Sequence, residues 1–212
     1  MKKLIFFLQL FLLYAMSLNA QTVIPLPAPH TDGGMPLMKA LKNRQTTREF
    51  ADKKISAQQL SDLLWAADGI NRPETKKRTA PSAMNNQEVD IYVSTADGLY
   101  LYNAEKQDLT EILKEDIRAK TGIQDFVKTA AVNLIYVADY AKVTKADEKT
   151  KDSYAMADAS FISENVYLFC ASEGLVTGVR AYIDKDALSK TMKLTPTQHI
   201  LLGQAVGYPK EK

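Results

Sequence analysis

The amino-acid sequence predicts an α+β protein in which a mixed β-sheet is wrapped by helices. Residues 88–102 have the pattern of a β-hairpin, because EVDIYV alternates and the turn residues ADG separate it from a second strand-like segment. AVNLIYVA, at residues 131–138, is apolar enough for a buried strand. Residues 152–172 form the longest helical pattern, with apolar side chains on more than one side. We therefore expect this helix in the core or partly in a dimer interface.

Residues 1–20 have the pattern of a secretory signal peptide. Lys2 and Lys3 precede an apolar run from Leu4 to about Met16, and Ala20 is a small residue at a suitable cleavage position. The run is short for a helix that spans a bilayer. We therefore expect an exported, periplasmic protein whose signal is cleaved near Ala20.

The rest of the chain is expected to form one domain, at residues 35–212, behind an extended segment at residues 21–34. Ser56 begins S-A-Q-Q, which has the form of a capping box and predicts a helix that ends near Gly69. The other predicted elements are helices at 36–41, 109–119, 123–129 and 184–192, and strands at 175–183 and 199–209.

Charge and composition exclude several classes of function. Removing residues 1–20 deletes two lysines and no acidic residue, which leaves 25 basic and 25 acidic residues. Nucleic-acid binding depends on concentrated basic charge, so we expect no nucleic-acid partner. Cys170 is the only cysteine and stands in an apolar helical stretch, where a buried small side chain is expected. His30 and His199 have no metal-ligand spacing, so the sequence predicts no metal site.

The segment RQTTR, at residues 44–48, concentrates hydrogen-bond donors. Arginine forks and hydroxyl groups are what a phosphate requires, so Arg44 and Arg48 could clamp a phosphomonoester with help from Thr46. Taken in isolation, a segment of this kind is more often a solvated charged turn.

RTAPSAMNNQEVDIYV, at residues 78–93, places a polar stretch with one proline and no glycine directly before a strand. It is either a turn with a required shape or a surface that another molecule contacts. An ordinary connecting loop is the commoner explanation for such a stretch.

Five motifs in register resemble the nitroreductase superfamily of FMN-dependent oxidoreductases. The resemblance runs from about Leu37 to Pro209, and within the superfamily the chain looks most like the branch of the thiazoline and oxazoline oxidases. The motifs are RQTTREF (44–50), RTAPSAMNNQEVDIYV (78–93), GLYLYNAEKQDL (98–109), GLVTGVRAYID (174–184) and LLGQAVGYP (201–209).

The resemblance implies a nitroreductase-like fold and a homodimer that binds FMN in its interface, so that both subunits touch each flavin. The ribityl phosphate would be held by the first motif, through Arg44, Gln45, Thr46 and Arg48. The ring and ribityl chain would be lined by the second motif of the partner subunit, through Pro81, Ser82, Ala83 and Asn85.

Two further contacts with the flavin ring are implied by the resemblance. Gln124, in GIQDF, would fall near the pyrimidine edge, and backbone groups around Val179, Arg180 and Ala181 would face the ring near N5. The Arg180 side chain would either contact an anionic substrate or be a structural surface arginine. No catalytic side chain is nominated, because water or a backbone group can supply the proton.

The implied activity is transfer of hydride through the flavin by a ping-pong mechanism. The substrate would be a small electron-poor compound such as a nitroaromatic or a quinone, or an oxidisable small molecule, with NAD(P)H or another electron donor. Two alternatives remain open: a peptide- or azoline-type dehydrogenase, and a protein that holds flavin or another small ligand without turnover.

Two features of the chain limit what the resemblance transfers. Met84, Asn85 and Asn86 stand where the closest branch often has Gly-Ala-Leu-Tyr-Pro, so the azoline-oxidase substrate is not carried over. The signal lacks paired arginines, so we expect export in the unfolded state and capture of FMN outside the cytoplasm.

Overall fold

The computed structural model describes residues 21–211, and the predicted signal peptide lies outside the described residues. In chain order the strands are β1 (Val23–Pro25), β2 (Ile70–Arg72), β3 (Lys77–Arg78), β4 (Val89–Thr95), β5 (Gly98–Asn103), β6 (Asp108–Leu113), β7 (Val132–Asp139), β8 (Val176–Arg180) and β9 (Gln198–Gly207). The α-helices of the described chain are α1 (Leu37–Asn43), α2 (Ala57–Asp68), α3 (Glu148–Glu173) and α4 (Lys185–Met192).

Seven strands form one sheet in the order β1-β6-β5-β4-β7-β9-β8, and β2 pairs with β3 in a separate hairpin. The predicted α+β class is confirmed. The expected mixed pairing differs in detail, because the ladders of the sheet are antiparallel throughout the described residues. A parallel contact joins Thr46 to Thr177 as an isolated bridge at the edge of the sheet.

The two faces of the sheet carry separate cores because alternate strand residues point to opposite sides. Val89, Ile91 and Val93 of β4 face the larger core, which α2 and α3 cover. Tyr92 of the same strand faces the smaller core, which α4 covers. Cys170 of α3 is buried in the larger core, as predicted, and burial raises the pKa of its thiol well above the ordinary range.

Local sequence signals correctly predicted where α2 begins and where α2 and α3 end. The Ser56 hydroxyl accepts the Gln59 N–H at 3.1 Å, which caps α2, and the helix stops at Gly69. Gly174 ends α3 with a φ of 69°, a left-handed conformation that glycine adopts without strain. Among the described residues no helix is both long and apolar enough to cross a membrane.

The helix predicted at residues 109–119 is wrong. Leu109, Ile112 and Leu113 have helical spacing, but Asp108–Leu113 form β6, which pairs with β5 on one side and with β1 on the other. The piece predicted at residues 123–129 is a short 3₁₀ helix at Asp125–Lys128. The extended N-terminal segment is partly a strand, because Val23–Pro25 pair with β6.

Candidate active site

The segment RQTTR begins where α1 ends and lies along the edge strand β8. The Arg44 N–H donates to a carbonyl of the last turn of α1 at 2.8 Å, and the Thr47 N–H donates to the Thr177 carbonyl at 2.9 Å. A Cβ at Gly178 would lie 3.0 Å from the Thr47 carbonyl oxygen, so this glycine allows the motif to approach the sheet closely. The motif is therefore held by the backbone, while its side chains remain available.

Tyr167 of α3 connects this motif with the end of β8. Its hydroxyl lies 2.9 Å from the Thr46 Oγ1 and accepts the Val179 N–H at 3.1 Å. The Arg44 Cζ lies 5.3 Å from the centroid of the Tyr167 ring, within range of a cation–π interaction. Tyr167 is not among the predicted site residues, because a tyrosine in an apolar helix has no local signal that separates it from an ordinary core residue.

Two clefts share Tyr167 as a lining residue, and each contains residues of one of the two predicted flavin-binding segments. A cleft of about 540 Å³ is lined by Arg44 and Gln45 together with Tyr167. A second cleft, of about 430 Å³, is lined by Tyr167 with Val179 and Ala181. The fold thus brings the phosphate motif and the 179–181 segment to one side chain.

Two arginine side chains lie near the aromatic ring of Phe126. The Cζ of Arg48 lies 5.9 Å from the ring centroid, and the Cζ of Arg180 lies 5.8 Å from it. Gln124 stands at the start of the same 3₁₀ helix, and its Oε1 is buried without a hydrogen-bond partner among the described residues. Arg48 and Gln124 therefore flank the same short segment.

Of the two alternatives for the Arg180 side chain, the surface arginine is wrong. The residue is only 6% exposed, since β8 turns its side chain into the protein. Its guanidinium donates to the Thr121 carbonyl and hydroxyl and to the Asn133 Oδ1. Its hydrogen-bond partners are therefore neutral groups inside the fold.

The loop at residues 81–87 has a defined shape. This agrees with the interpretation of residues 78–93 as a stretch that contains a turn with a required shape. The Ser82 hydroxyl accepts the Gln87 N–H at 2.8 Å, and the Ala83 N–H donates to the Asp158 Oδ2 at 2.8 Å. Met84 and Asn85 have φ values of 54° and 56°, which are uncommon for residues other than glycine. Such strained residues persist only where surrounding contacts hold them.

The loop is anchored away from RQTTR in the same subunit. Its contact on α3 is Asp158, nine residues before Tyr167, so about 14 Å of helix separates the two anchor points. One subunit therefore presents the two predicted flavin-binding motifs at different places along α3.

Carboxyl groups lie beneath this loop. Glu88 is fully buried, and burial raises its pKa, with the nearby Asp158 carboxylate raising it further. Burial also raises the pKa of Asp68 to about 7, and it outweighs the opposite effect of the Arg78 guanidinium, which lies 3.1 Å away. The loop therefore rests on acids that hold protons more strongly than usual.

Comparison with known proteins decides the family. The model of the nitroreductase family matches residues 41–208, which is most of the chain. The chain belongs to the nitroreductase family. Its members are oxidoreductases, so this nitroreductase is an enzyme of that type.

Solved structures and a curated relative agree with this family. A crystal structure from Ralstonia eutropha JMP134, of a protein assigned as a nitroreductase, is 38% identical, with a TM-score of 0.86 and coverage of 90% of both chains. A Methanocaldococcus jannaschii protein assigned as a nitroreductase is 29% identical over 161 residues, which are 71% of this chain and 81% of that protein. The NADPH:FMN oxidoreductase of Vibrio harveyi, solved with NAD⁺, shares the fold at 18% identity and a TM-score of 0.63, covering 82% of this chain and 69% of that one. The assignment to the thiazoline and oxazoline oxidase branch stays a prediction.

Proposed function

We propose that this nitroreductase is an exported, FMN-dependent enzyme that transfers hydride to or from a small molecule by a ping-pong mechanism. The observation that carries the proposal is the cluster of Arg44, Thr46 and Arg48 along β8, joined through Tyr167 to the 179–181 backbone. Neither arginine pairs with a carboxylate within the described residues. Both are therefore available to an anionic ligand.

The residues present fit the phosphate of FMN. Arg44 and Arg48 supply two guanidinium groups, and Thr46 and Gln45 supply a hydroxyl and an amide at the exposed end of α1. Charge-assisted hydrogen bonds of this kind are stronger than neutral ones. We assign phosphate binding to these four residues.

The ring would lie toward the second cleft. Backbone groups of Val179, Arg180 and Ala181 would face it near N5, and the unpartnered Gln124 Oε1 suits the N–H group of the pyrimidine edge. Bound FMN would supply the hydride chemistry, and the chain would bind it, orient it and leave one face open.

A homodimer would complete this site. In one subunit the 81–87 loop is anchored far along α3 from RQTTR, so Pro81, Ser82, Ala83 and Asn85 suit a flavin held mainly by the partner subunit. Helix α1 also exposes three apolar side chains, Leu37, Met38 and Leu41, and Met38 is 76% exposed. An apolar patch of this kind is typical of a protein interface.

Substrate, donor and location follow from the same proposal. A small electron-poor compound such as a nitroaromatic or a quinone, or an oxidisable small molecule, would react at the open face. NAD(P)H or another donor would supply or accept the electrons. The signal-like residues 1–20 support export to the periplasm, with FMN captured there.

The first experiment is native purification followed by an absorption spectrum. Flavin bands that bleach with NAD(P)H or another donor and recover with an acceptor support the enzyme. Bands that no donor or acceptor changes would favour the alternative of a flavin-binding protein without turnover. Colourless protein that takes up no added FMN would contradict the proposal.

Mutation of the phosphate motif tests the site. We expect Arg44→Ala with Arg48→Ala to weaken FMN binding at least about 100-fold, because each charged hydrogen bond contributes about 1.5–3 kcal/mol. Lys185→Ala with Lys190→Ala removes the same charge from exposed positions of α4 and should leave binding unchanged. Full FMN occupancy in the arginine variant, measured by fluorescence titration, would show that the phosphate lies elsewhere.

A further inference from the structure

The buried guanidinium of Arg180 is held by neutral groups. Its Nη2 donates to the Thr121 carbonyl at 3.0 Å, to the Thr121 Oγ1 at 2.8 Å and to the Asn133 Oδ1 at 2.8 Å. The Thr121 hydroxyl donates its own proton to the Arg118 carbonyl, and the Asn133 amide donates to the Val127 carbonyl. Both side chains therefore present lone pairs to the arginine.

Within the described residues no carboxylate neutralises this charge. Burial lowers the pKa of Arg180 to about 10, so the side chain remains charged at neutral pH. Its Nη1 is buried without a hydrogen-bond partner. A buried charge without a counter-charge is costly, and most proteins pair it or avoid it.

The chain makes room for this arginine with two glycines. A Cβ at Gly122 would lie 2.6 Å from the Arg180 Nε, and a Cβ at Gly203 would lie 3.1 Å from the Nη2. Any larger residue at either position would crowd the guanidinium. The space around the guanidinium therefore depends on glycine at both positions.

The charge lies beside the proposed flavin site. Arg180 shares the Phe126 ring with Arg48, which we assign to the phosphate motif. Its own backbone belongs to the 179–181 segment that we assign to the ring. Two guanidinium groups thus lie near one aromatic ring, and within residues 21–211 neither forms an ion pair with a carboxylate.

We propose that the uncompensated charge of Arg180 favours the reduced, anionic form of bound FMN over the oxidised form. The inference rests on the proposed function. Hydride from the donor brings two electrons and one proton, and it converts the neutral isoalloxazine ring into an anion. A fixed cation in a low-dielectric interior stabilises that anion more than the neutral ring. Arg180 borders the cleft of about 430 Å³ but is only 6% exposed, so we assign its effect to its electrostatic field on the ring.

The test compares the affinities of reduced and oxidised FMN, obtained from oxidised-FMN binding and from the midpoint potential of the loaded protein. We expect Arg180→Gln to reduce the preference for reduced FMN at least tenfold, which is a midpoint potential about 30 mV more negative for a two-electron couple. Arg180→Lys, which keeps the charge, should retain most of the preference.

A second variant tests the charge without removing the arginine. Asn133→Asp places a carboxylate where the Oδ1 now lies, 2.8 Å from the Nη2, and should shift the potential in the same direction. Arg118→Gln is the matched control. Arg118 is also largely buried but is paired with Asp116 at 2.8 Å, so its loss should change the preference less than threefold.

The outcomes separate the two proposals. Wild-type protein that binds no FMN would overturn the proposed function and this inference together. Wild-type protein that binds FMN, with Arg180→Gln and Asn133→Asp variants whose preference stays within threefold of wild type, would overturn this inference alone. If Arg180→Gln does not fold, the Asn133→Asp result decides.

Discussion

The Tyr167 hydroxyl is the single atom on which the geometry of the candidate site depends most. It accepts the Val179 N–H, so its own proton is available to the Thr46 Oγ1, which lies 2.9 Å away. The exposed Thr46 hydroxyl is then free to donate its proton to a phosphate oxygen. One buried side chain of α3 thereby sets the direction of a donor in the RQTTR motif.

We expect Tyr167→Phe to weaken FMN binding about 5- to 30-fold, because loss of a hydrogen bond that leaves the partly buried Val179 N–H unpaired costs about 1–2 kcal/mol. The loss should be smaller for riboflavin, which lacks the phosphate that Thr46 would contact. Fluorescence titration with both ligands measures this difference. Tyr182→Phe is the control, because Tyr182 is 62% exposed and its hydroxyl makes no hydrogen bond to any residue from 21 to 211. Equal FMN affinity in wild type and Tyr167→Phe would contradict this role.

The loop at residues 81–87 and the elements beneath it form a unit in which buried carboxyl groups support a strained backbone. Met84, Asn85 and Gln87 all have positive φ, and the bonds from Ser82 and Asp158 hold the backbone in that shape. Beneath them, Asp68 at the end of α2 faces Arg78 of β3. The loop can keep its shape only while these supporting elements stay packed.

The free energy of unfolding should fall between about pH 4.5 and 7 because Asp68 has a raised pKa. In that window the unfolded chain has lost this proton while the folded chain, with its pKa at about 7, still holds it. The unfolded state therefore binds fewer protons, and stability decreases as pH rises. Glu88, whose pKa is also raised, contributes in the same direction.

In wild type, Asp68 should lower the free energy of unfolding by on the order of 2–4 kcal/mol between the two ends of this pH window, since one pKa unit corresponds to about 1.4 kcal/mol. Asp68→Asn should remove this contribution and flatten the pH dependence. Urea unfolding at several pH values measures it. Asp116→Asn is the control, because its hydrogen bond to Arg118 lowers the pKa of Asp116 and its effect should be constant across the window. An unchanged slope in Asp68→Asn would show that this carboxyl group is ionised in the fold.

The whole molecule presents apolar surface that a single subunit leaves uncovered. Helix α1 has only seven residues, and it buries Ala40 while exposing Leu37, Met38 and Leu41. Because α1 leads directly into RQTTR, a partner that covers this helix would also border the phosphate site. Assembly and cofactor binding should therefore be coupled in this nitroreductase.

We expect Leu37→Glu with Met38→Glu to weaken the proposed homodimer at least tenfold and to lower FMN affinity with it, because both changes would bury charge in an apolar contact. Sedimentation at several concentrations measures the dimer, and fluorescence measures FMN. Val23→Glu, at an exposed site of the opposite edge strand β1, should change neither. A wild-type monomer that binds FMN with full affinity would rule out the shared site.

Prediction from sequence succeeded where the signal is local. Ser56 and Gly69 mark α2, Gly174 marks the end of α3, and the alternation of EVDIYV marks β4. The donors of RQTTR were visible for the same reason, since their chemistry depends on neighbouring residues. At residues 108–113 local spacing favoured a helix, but β1 and β5 supplied ladder partners that no local window contains.

The sequence by itself determined the family, the main helices and strands, and the donor-rich segments at residues 44–48 and 81–85. Only the tertiary structure decided that Tyr167 joins Thr46 to Val179 and that Arg180 lies buried among neutral partners. The reason is physical: a side chain's burial and its hydrogen-bond partners come from packing between segments far apart along the chain. Capping residues and strand alternation, by contrast, act over a few neighbouring positions.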